Sequence, residues 1–200
     1  DIWKKLEGIC RPDAVFATNT SALPITEMAS ILDDPSRMIG LHFFNPAHRM
    51  MLLEIICAQK TSDQTLATSV SFARAIKKIP IVVNDGPGFY VSRQLGGLLG
   101  GAVYLTANGV DGAKIEAAML DFGMPMGPAT LSDLTGIDIG YHVGKTFEKR
   151  LGERYKVHPL TEAIYQTGCY GRKTGAGYFD YSGDKPVPNP IIFEVVQKYR

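Results

Sequence analysis

The chain reads Met38-Ile39-Gly40-Leu41-His42-Phe43-Phe44, then Asn45-Pro46-Ala47-His48-Arg49-Met50-Met51, then Leu52-Leu53-Glu54-Ile55-Ile56-Cys57-Ala58. Two apolar runs flank a loop opened by Asn-Pro, a strong turn signal, so the segment reads as a β-hairpin. If the hairpin is symmetric about His48, His42 faces Glu54 with Cβ atoms about 5 Å apart. A carboxylate held against an imidazole fixes its tautomer and stabilises the protonated ring, leaving the other nitrogen to take a proton from a hydroxyl. Spacing alone favours a plainer role, a structural His-Glu pair buried in a sheet.

On the N-terminal side, Ala14-Val15-Phe16-Ala17 is a short buried-strand candidate running into the turn formers Thr18-Asn19-Thr20-Ser21. Pro24 suits the first turn of a helix over 24–31, with Glu27 near its N-terminal end. On the C-terminal side, apolar spacing predicts a helix over 62–79, then the strand Ile81-Val82-Val83 and a break at Asp85-Gly86-Pro87-Gly88. Residues 1–85 thus alternate helix-like and strand-like segments, whereas residues 86–180 read as helices joined by Gly/Pro turns.

The second region opens with a long buried helix over 89–108. Gly96, Gly97, Gly100 and Gly101 cost it about 1 kcal/mol each relative to Ala, which close helix packing, in the chain or across a dimer, would offset. Further helices are predicted over 111–122, capped by Asp111 and stopped at Gly123, over 131–147 and over 160–166. The stretch 171–181 is glycine-rich, basic and aromatic.

Composition narrows the function. The 200 residues are 45% hydrophobic, enough to fill the core of one domain or two small ones. Lys plus Arg number 21 against 20 Asp plus Glu, so no charge excess is available to hold a nucleic acid or an anionic membrane non-specifically. The longest uncharged stretch, 94–110, carries Gln, Thr, Asn and several Gly and falls short of the roughly 20 apolar residues of a membrane span. Cys10, Cys57 and Cys169 lack disulfide or zinc-ligand spacing, which fits a reducing, intracellular setting and no bound metal. The opening Asp1-Ile2-Trp3-Lys4-Lys5 has no signal-peptide layout and reads as a cut through a longer chain.

Asn19, Ser21 and Asn45 stand at predicted strand ends, where open α/β sheets place ligand-binding groups, although each also suits a turn. Lys173, within Gly171-Arg172-Lys173-Thr174-Gly175, could reach an anion or simply be solvated. His48, His142 and His158 are isolated. No Gly-x-Gly-x-x-Gly follows a strand, so a phosphate-cradling turn is absent from this sequence.

The run Asn19-Thr20-Ser21, followed by His42-Phe43-Phe44-Asn45-Pro46 and Glu54, resembles the L-3-hydroxyacyl-CoA dehydrogenases. The likeness continues through Asp85-Gly86-Pro87-Gly88-Phe89, Pro125-Met126-Gly127-Pro128 and Gly171-Arg172-Lys173-Thr174-Gly175-Ala176-Gly177-Tyr178, over nearly the whole chain. His48-Arg49-Met50, Tyr90 and the extension beyond Tyr181 are most similar to the α chains of multifunctional fatty-acid β-oxidation enzymes.

The resemblance implies an α/β plus all-α protein. Residues 1–85 would be the second half of a Rossmann-type NAD-binding domain, truncated at its N-terminus. Residues 86–182 would form a helical, 6-phosphogluconate-dehydrogenase-like C-terminal domain, and residues 183–200 a linker and the start of a further helix. It implies oxidation of the 3-hydroxyl of an acyl-CoA to a ketone with hydride transfer to NAD, within a homo-oligomer or multienzyme complex. In that reading His42 is the general base, Glu54 orients it, Ser21 and Asn45 line the nicotinamide and the reacting oxygen, and Lys173 contacts the cofactor. Ser92 departs from the family's usual Asn at a substrate contact, and the doubled glycines replace bulkier residues.

With the phosphate turn lying upstream, these residues alone are expected to bind NAD poorly and to expose a sheet edge. Two other readings stay open: a non-catalytic oligomerisation or interaction module that keeps the pair as a relic, and an enzyme acting on a free hydroxy acid. Bacterial cytoplasm, mitochondrion and peroxisome all fit the composition.

Overall fold

The computed structural model describes residues 2–199 and divides into two compact units, one ending at Arg93 and the other beginning at Gln94. In the first, helix α1 (Ile2–Ile9) and strand β1 (Phe16–Thr18) precede the short helix α2 (Ile25–Ala29). Strands β2 (Met38–Phe43) and β3 (Leu52–Cys57), helix α3 (Asp63–Ala75) and strand β4 (Ile79–Asn84) follow. The strands form one sheet in the order β1-β2-β3-β4, with β1/β2 and β3/β4 parallel and β2/β3 antiparallel.

The two central strands are apolar because both of their faces are covered. Phe16, Ile25, Ala29, Leu32, Met38, Ile56, Ala58 and Phe89 pack in one cluster, while Ile39, Leu41, Leu53, Ile55 and Ala73 pack in another. Alternation along β2 therefore puts Met38, Gly40 and His42 on the first face. Gly40 permits the packing there, since a Cβ would sit 2.9 Å from the Cβ of Ile56. Helix α3 begins where Ser62 Oγ accepts the Thr65 N–H, and Lys77, two residues past its end, closes it in a left-handed turn with a φ of 59°. Pro80, which has no N–H to donate, stands in the edge strand β4, where it is tolerated.

The second unit holds most of α4 (Val91–Ala107), then α5 (Gly112–Asp121), α6 (Pro128–Thr135), α7 (Ile137–Leu151), α8 (Pro159–Tyr165), the small hairpin β5 (Phe179–Asp180) and β6 (Val187–Pro188), and α9 (Pro190–Tyr199). Its core joins Ile137, Leu160, Ile164 and Cys169 to Ile192 and Val196 of α9. Residues 183–188 are exposed, and residues 189–199 pack on this unit. Asn189 secures them, donating from Nδ2 to the Gly177 carbonyl and accepting the Ile191 N–H.

Two helix readings need correction. The helix predicted over 131–147 is two, parted at Gly136, whose φ of 102° no ordinary helical residue adopts. Helix α4 has no fully buried residue; Tyr104 and Leu105 are exposed. Of its four glycines, only Gly96 backs onto a neighbour, where an added Cβ would lie 3.3 Å from the Phe147 ring, while Gly97, Gly100 and Gly101 face open space. An apolar helical pattern shows which face can be buried, but burial needs a neighbour, and the chain supplies one along only part of this helix. Among the described residues no helix is long and apolar enough to cross a membrane, the three cysteines are free, and no His/Cys/Asp/Glu group could hold a metal.

Candidate active site

β2 and β3 pair in the register Leu41↔Ile55 and His42↔Glu54, as a hairpin symmetric about His48 requires. Both side chains lie on the face shared with α2 and Phe89, and both are buried. His42 Nδ1 stands 2.6 Å from Glu54 Oε2. Glu54 Oε1 accepts two further hydrogen bonds, from the backbone N–H of Tyr90 at 3.1 Å and of Val91 at 2.9 Å. A buried carboxylate is stable only when its oxygens are supplied with donors, and here three converge on it.

The contact at Oε2 sets the proton of a neutral imidazole on Nδ1 and leaves the Nε2 lone pair open. Nε2 has no hydrogen-bond partner among the described residues, yet it is not among the buried unpartnered side-chain atoms, so it keeps contact with solvent. Phe44 and Phe89 flank the ring, with centroids 4.6 and 5.9 Å away.

The other residues singled out from the sequence divide by role. Asn19 Oδ1 accepts the Phe43 N–H at 2.9 Å, tying the end of β1 to β2, which is a structural duty. Ser21 and Asn45 are exposed just past the ends of β1 and β2, with side chains that have no polar partner among the described residues. Ser92 lies in the first turn of α4, next to the Val91 amide that serves Glu54. Lys173 belongs to the second unit, where its Nζ is 2.5 and 2.6 Å from the two oxygens of Asp138 and 6.0 Å from the Tyr170 ring centre. Burial opposes ionisation of Asp138, but the Lys173 ammonium and backbone N–H groups outweigh it and hold the carboxyl below the usual range.

Sequence patterns missed the groups that brace these loops. Asp85, read as part of a chain break, accepts the N–H groups of Ile25 and Thr26 at 3.0 and 2.7 Å and so caps α2. Asp133 of α6 is buried and accepts from the N–H groups of Tyr178 and Phe179 and from the Tyr181 hydroxyl, at 2.8, 2.9 and 2.9 Å. Burial pushes its carboxyl up, although those three bonds pull the other way. Gly171 and Gly177 are needed there, because a Cβ on either would overlap Asp133. The loop carrying Lys173 is therefore anchored from α6.

Residues 1–86 match the family model described as 3-hydroxyacyl-CoA dehydrogenase, NAD binding domain, and residues 88–181 match 3-hydroxyacyl-CoA dehydrogenase, C-terminal domain. The chain is 41% identical over 186 residues to a fatty acid oxidation complex subunit alpha of Shewanella sp. (strain MR-4), covering 93% of this chain and 26% of that protein. It is 40% identical over 200 residues to a Pseudomonas aeruginosa (strain LESB58) protein of the same name, covering 96% and 28%. It thus spans about a quarter of the length of these relatives.

Among solved structures, (S)-3-hydroxybutyryl-CoA dehydrogenase from Ralstonia eutropha superposes with a TM-score of 0.87 at 34% identity, over 91% of this chain and 65% of that one. The 3-hydroxybutyryl-CoA dehydrogenase of Escherichia coli K12 gives 0.86 at 29% identity, over 93% and 40%. With both of its units matched in order and its fold shared with these enzymes, the chain belongs to the 3-hydroxyacyl-CoA dehydrogenase family.

Proposed function

We propose that these residues form the dehydrogenase portion of a fatty-acid β-oxidation enzyme that oxidises the 3-hydroxyl of an L-3-hydroxyacyl-CoA to a ketone. The observation that carries this reading is the buried His42–Glu54 pair, 2.6 Å apart, whose free imidazole nitrogen keeps contact with solvent. His42 Nε2 takes the hydroxyl proton, and Glu54, fixed by three donors, balances the charge that the imidazole gains. NAD, when bound, supplies the hydride acceptor. The donor set fits that group: Ser21 and Asn45 offer unpartnered polar side chains at the strand ends, where nicotinamide and substrate oxygen are received. Ser92 adds a hydroxyl for the substrate, and Lys173 a cation for the cofactor.

In this reading residues 1–85 supply the second half of the NAD-binding domain and residues 86–182 the helical one, with residues 183–200 following. The family descriptions support an acyl-CoA substrate, and the names of the relatives support membership of a multienzyme complex. The free thiols favour a reducing compartment: cytoplasm in a bacterium, otherwise mitochondrion or peroxisome. The test is His42→Gln in the full natural polypeptide, following NADH formation from a 3-hydroxyacyl-CoA. A kcat lowered about 10²-fold or more, with circular dichroism unchanged, is expected. A rate close to that of the unmodified enzyme would remove the mechanism.

A further inference from the structure

Phe89 holds a φ of 49°, in the left-handed region that a bulky side chain rarely adopts, while its ring is buried. Lys77, the other non-glycine residue there among those described, has an ordinary setting, since it closes the end of α3. Phe89 closes no helix. It follows Gly88, at φ 71°, and stands two positions before α4 begins.

This turn has two consequences at the buried pair. The amides at the start of a helix have no partner within it, and a left-handed residue passing into helical backbone aims successive N–H groups into one concavity. Here those of Tyr90 and Val91 both reach Glu54 Oε1. The ring of Phe89 also joins the cluster of Phe16, Met38 and Ile56 and lies 5.9 Å from the imidazole of His42, inclined at 59°. Glycine would satisfy the backbone without strain but would leave the imidazole unsupported on this side.

We propose that Phe89 is a positioning residue for the His42–Glu54 pair: its turn delivers two amides to the carboxylate, and its ring holds the imidazole in register with it. Only the kinetic part of this inference rests on the function proposed above; the geometric part concerns the pair itself. Strained backbone persists where the surroundings enforce it, and such positions collect where geometry matters for chemistry.

The test uses Phe89→Leu, which keeps bulk in the core, and Phe89→Gly, which keeps the turn and removes the ring, both in the full natural polypeptide. The proton in the short Nδ1–H···Oε2 bond is observed directly as a far-downfield resonance, with Glu54→Gln as the control that erases it. For Phe89→Leu, kcat is expected to fall about tenfold with KM for acyl-CoA and NAD little changed, since small misplacement of a reacting group costs rate. The resonance is expected to broaden or move. A merely structural role would lower the melting temperature and leave both readouts alone.

Phe89→Leu that is folded, with kcat within about twofold of normal and the resonance in place, overturns the proposal. If Phe89→Gly fails to fold, Phe89→Leu decides the question. Should His42→Gln prove active, the proposed function falls, yet the resonance in Phe89→Leu still judges Phe89: displaced, it supports the positioning role, and unmoved, it refutes it.

Discussion

Glu54 Oε1 lies 2.9 Å from the backbone nitrogen of Val91, so the carboxylate that orients His42 also caps helix α4. One buried side chain joins the hairpin to the helix that follows the Asp-Gly-Pro-Gly break. Anything that shifts the start of α4 therefore reaches the imidazole through this carboxylate, and a change at Glu54 should register in stability and in rate together.

Replacing Glu54 with Gln preserves its size but puts an amide NH₂ among three donors. The amide can pair with His42 only if the imidazole moves its proton to Nε2 and accepts at Nδ1, and its second N–H is then buried without an acceptor. The cost is expected to be about 1–3 kcal/mol in urea unfolding, the range for an unsatisfied buried polar group. kcat in the full natural polypeptide should fall as well, because neither the tautomer nor the charge of His42 is then supported. Full stability in urea would contradict the geometry.

Asp85 makes the corresponding contact at α2, where Pro24 at the N-cap position has no side-chain acceptor of its own. Asp85→Ala should lower stability by about 1 kcal/mol, as loss of a cap does. Asp85→Asn retains one acceptor oxygen and should lose less. Equal losses for the two variants would show that the cap is not the source of the effect.

The glycines of the second unit divide into two kinds that a melting experiment separates. Gly177→Ala forces a Cβ into the Asp133 carboxylate and should cost about 2 kcal/mol or more. Gly100→Ala meets nothing within 4 Å and should raise stability by up to about 1 kcal/mol through helix propensity alone. A destabilised Gly100→Ala would reveal a neighbour that packs on α4 from outside the described residues.

Cys57 provides a pH test. Burial, with a smaller contribution from the Asp63 carboxylate, pushes its thiol above the ordinary range. At any pH below that raised value less thiolate is present than on an exposed cysteine, so alkylation by iodoacetamide should be slower and its rate should climb at higher pH than for a model thiol. The linkage has the matching sign: the stability associated with the neutral thiol is full below the unfolded pKa and is lost as pH rises through the folded one. Alkylation as fast as a free thiol at pH 8 would mean that Cys57 is not shielded.

His42 and Glu54 could be placed opposite each other from the sequence because a hairpin symmetric about His48 sets one register, and a strand's period of two then fixes which side chains share a face. The Asp111 cap was legible for the same reason, its partner Ala113 being two residues away. Such relationships depend on short stretches of backbone. The family likeness was equally accessible, because it lies in the order of short motifs along the chain.

The braces around the site depend on separation in space. Asp85 reaches Ile25 across 60 positions, Glu54 reaches Val91 across 37, and Asp133 reaches Tyr178 across 45. Each is a carboxylate meeting backbone N–H groups, and every residue but proline has such a group, so no side-chain pattern marks the acceptor's target. Gly136 shows the same limit locally, because apolar spacing continues across it while its left-handed backbone ends one helix and starts another. Sequence periodicity determined the four strands of the first sheet, most of the helices and the facing of imidazole and carboxylate. Tertiary packing alone decided what holds that carboxylate in place, since the required donors come together only when distant segments fold against one another.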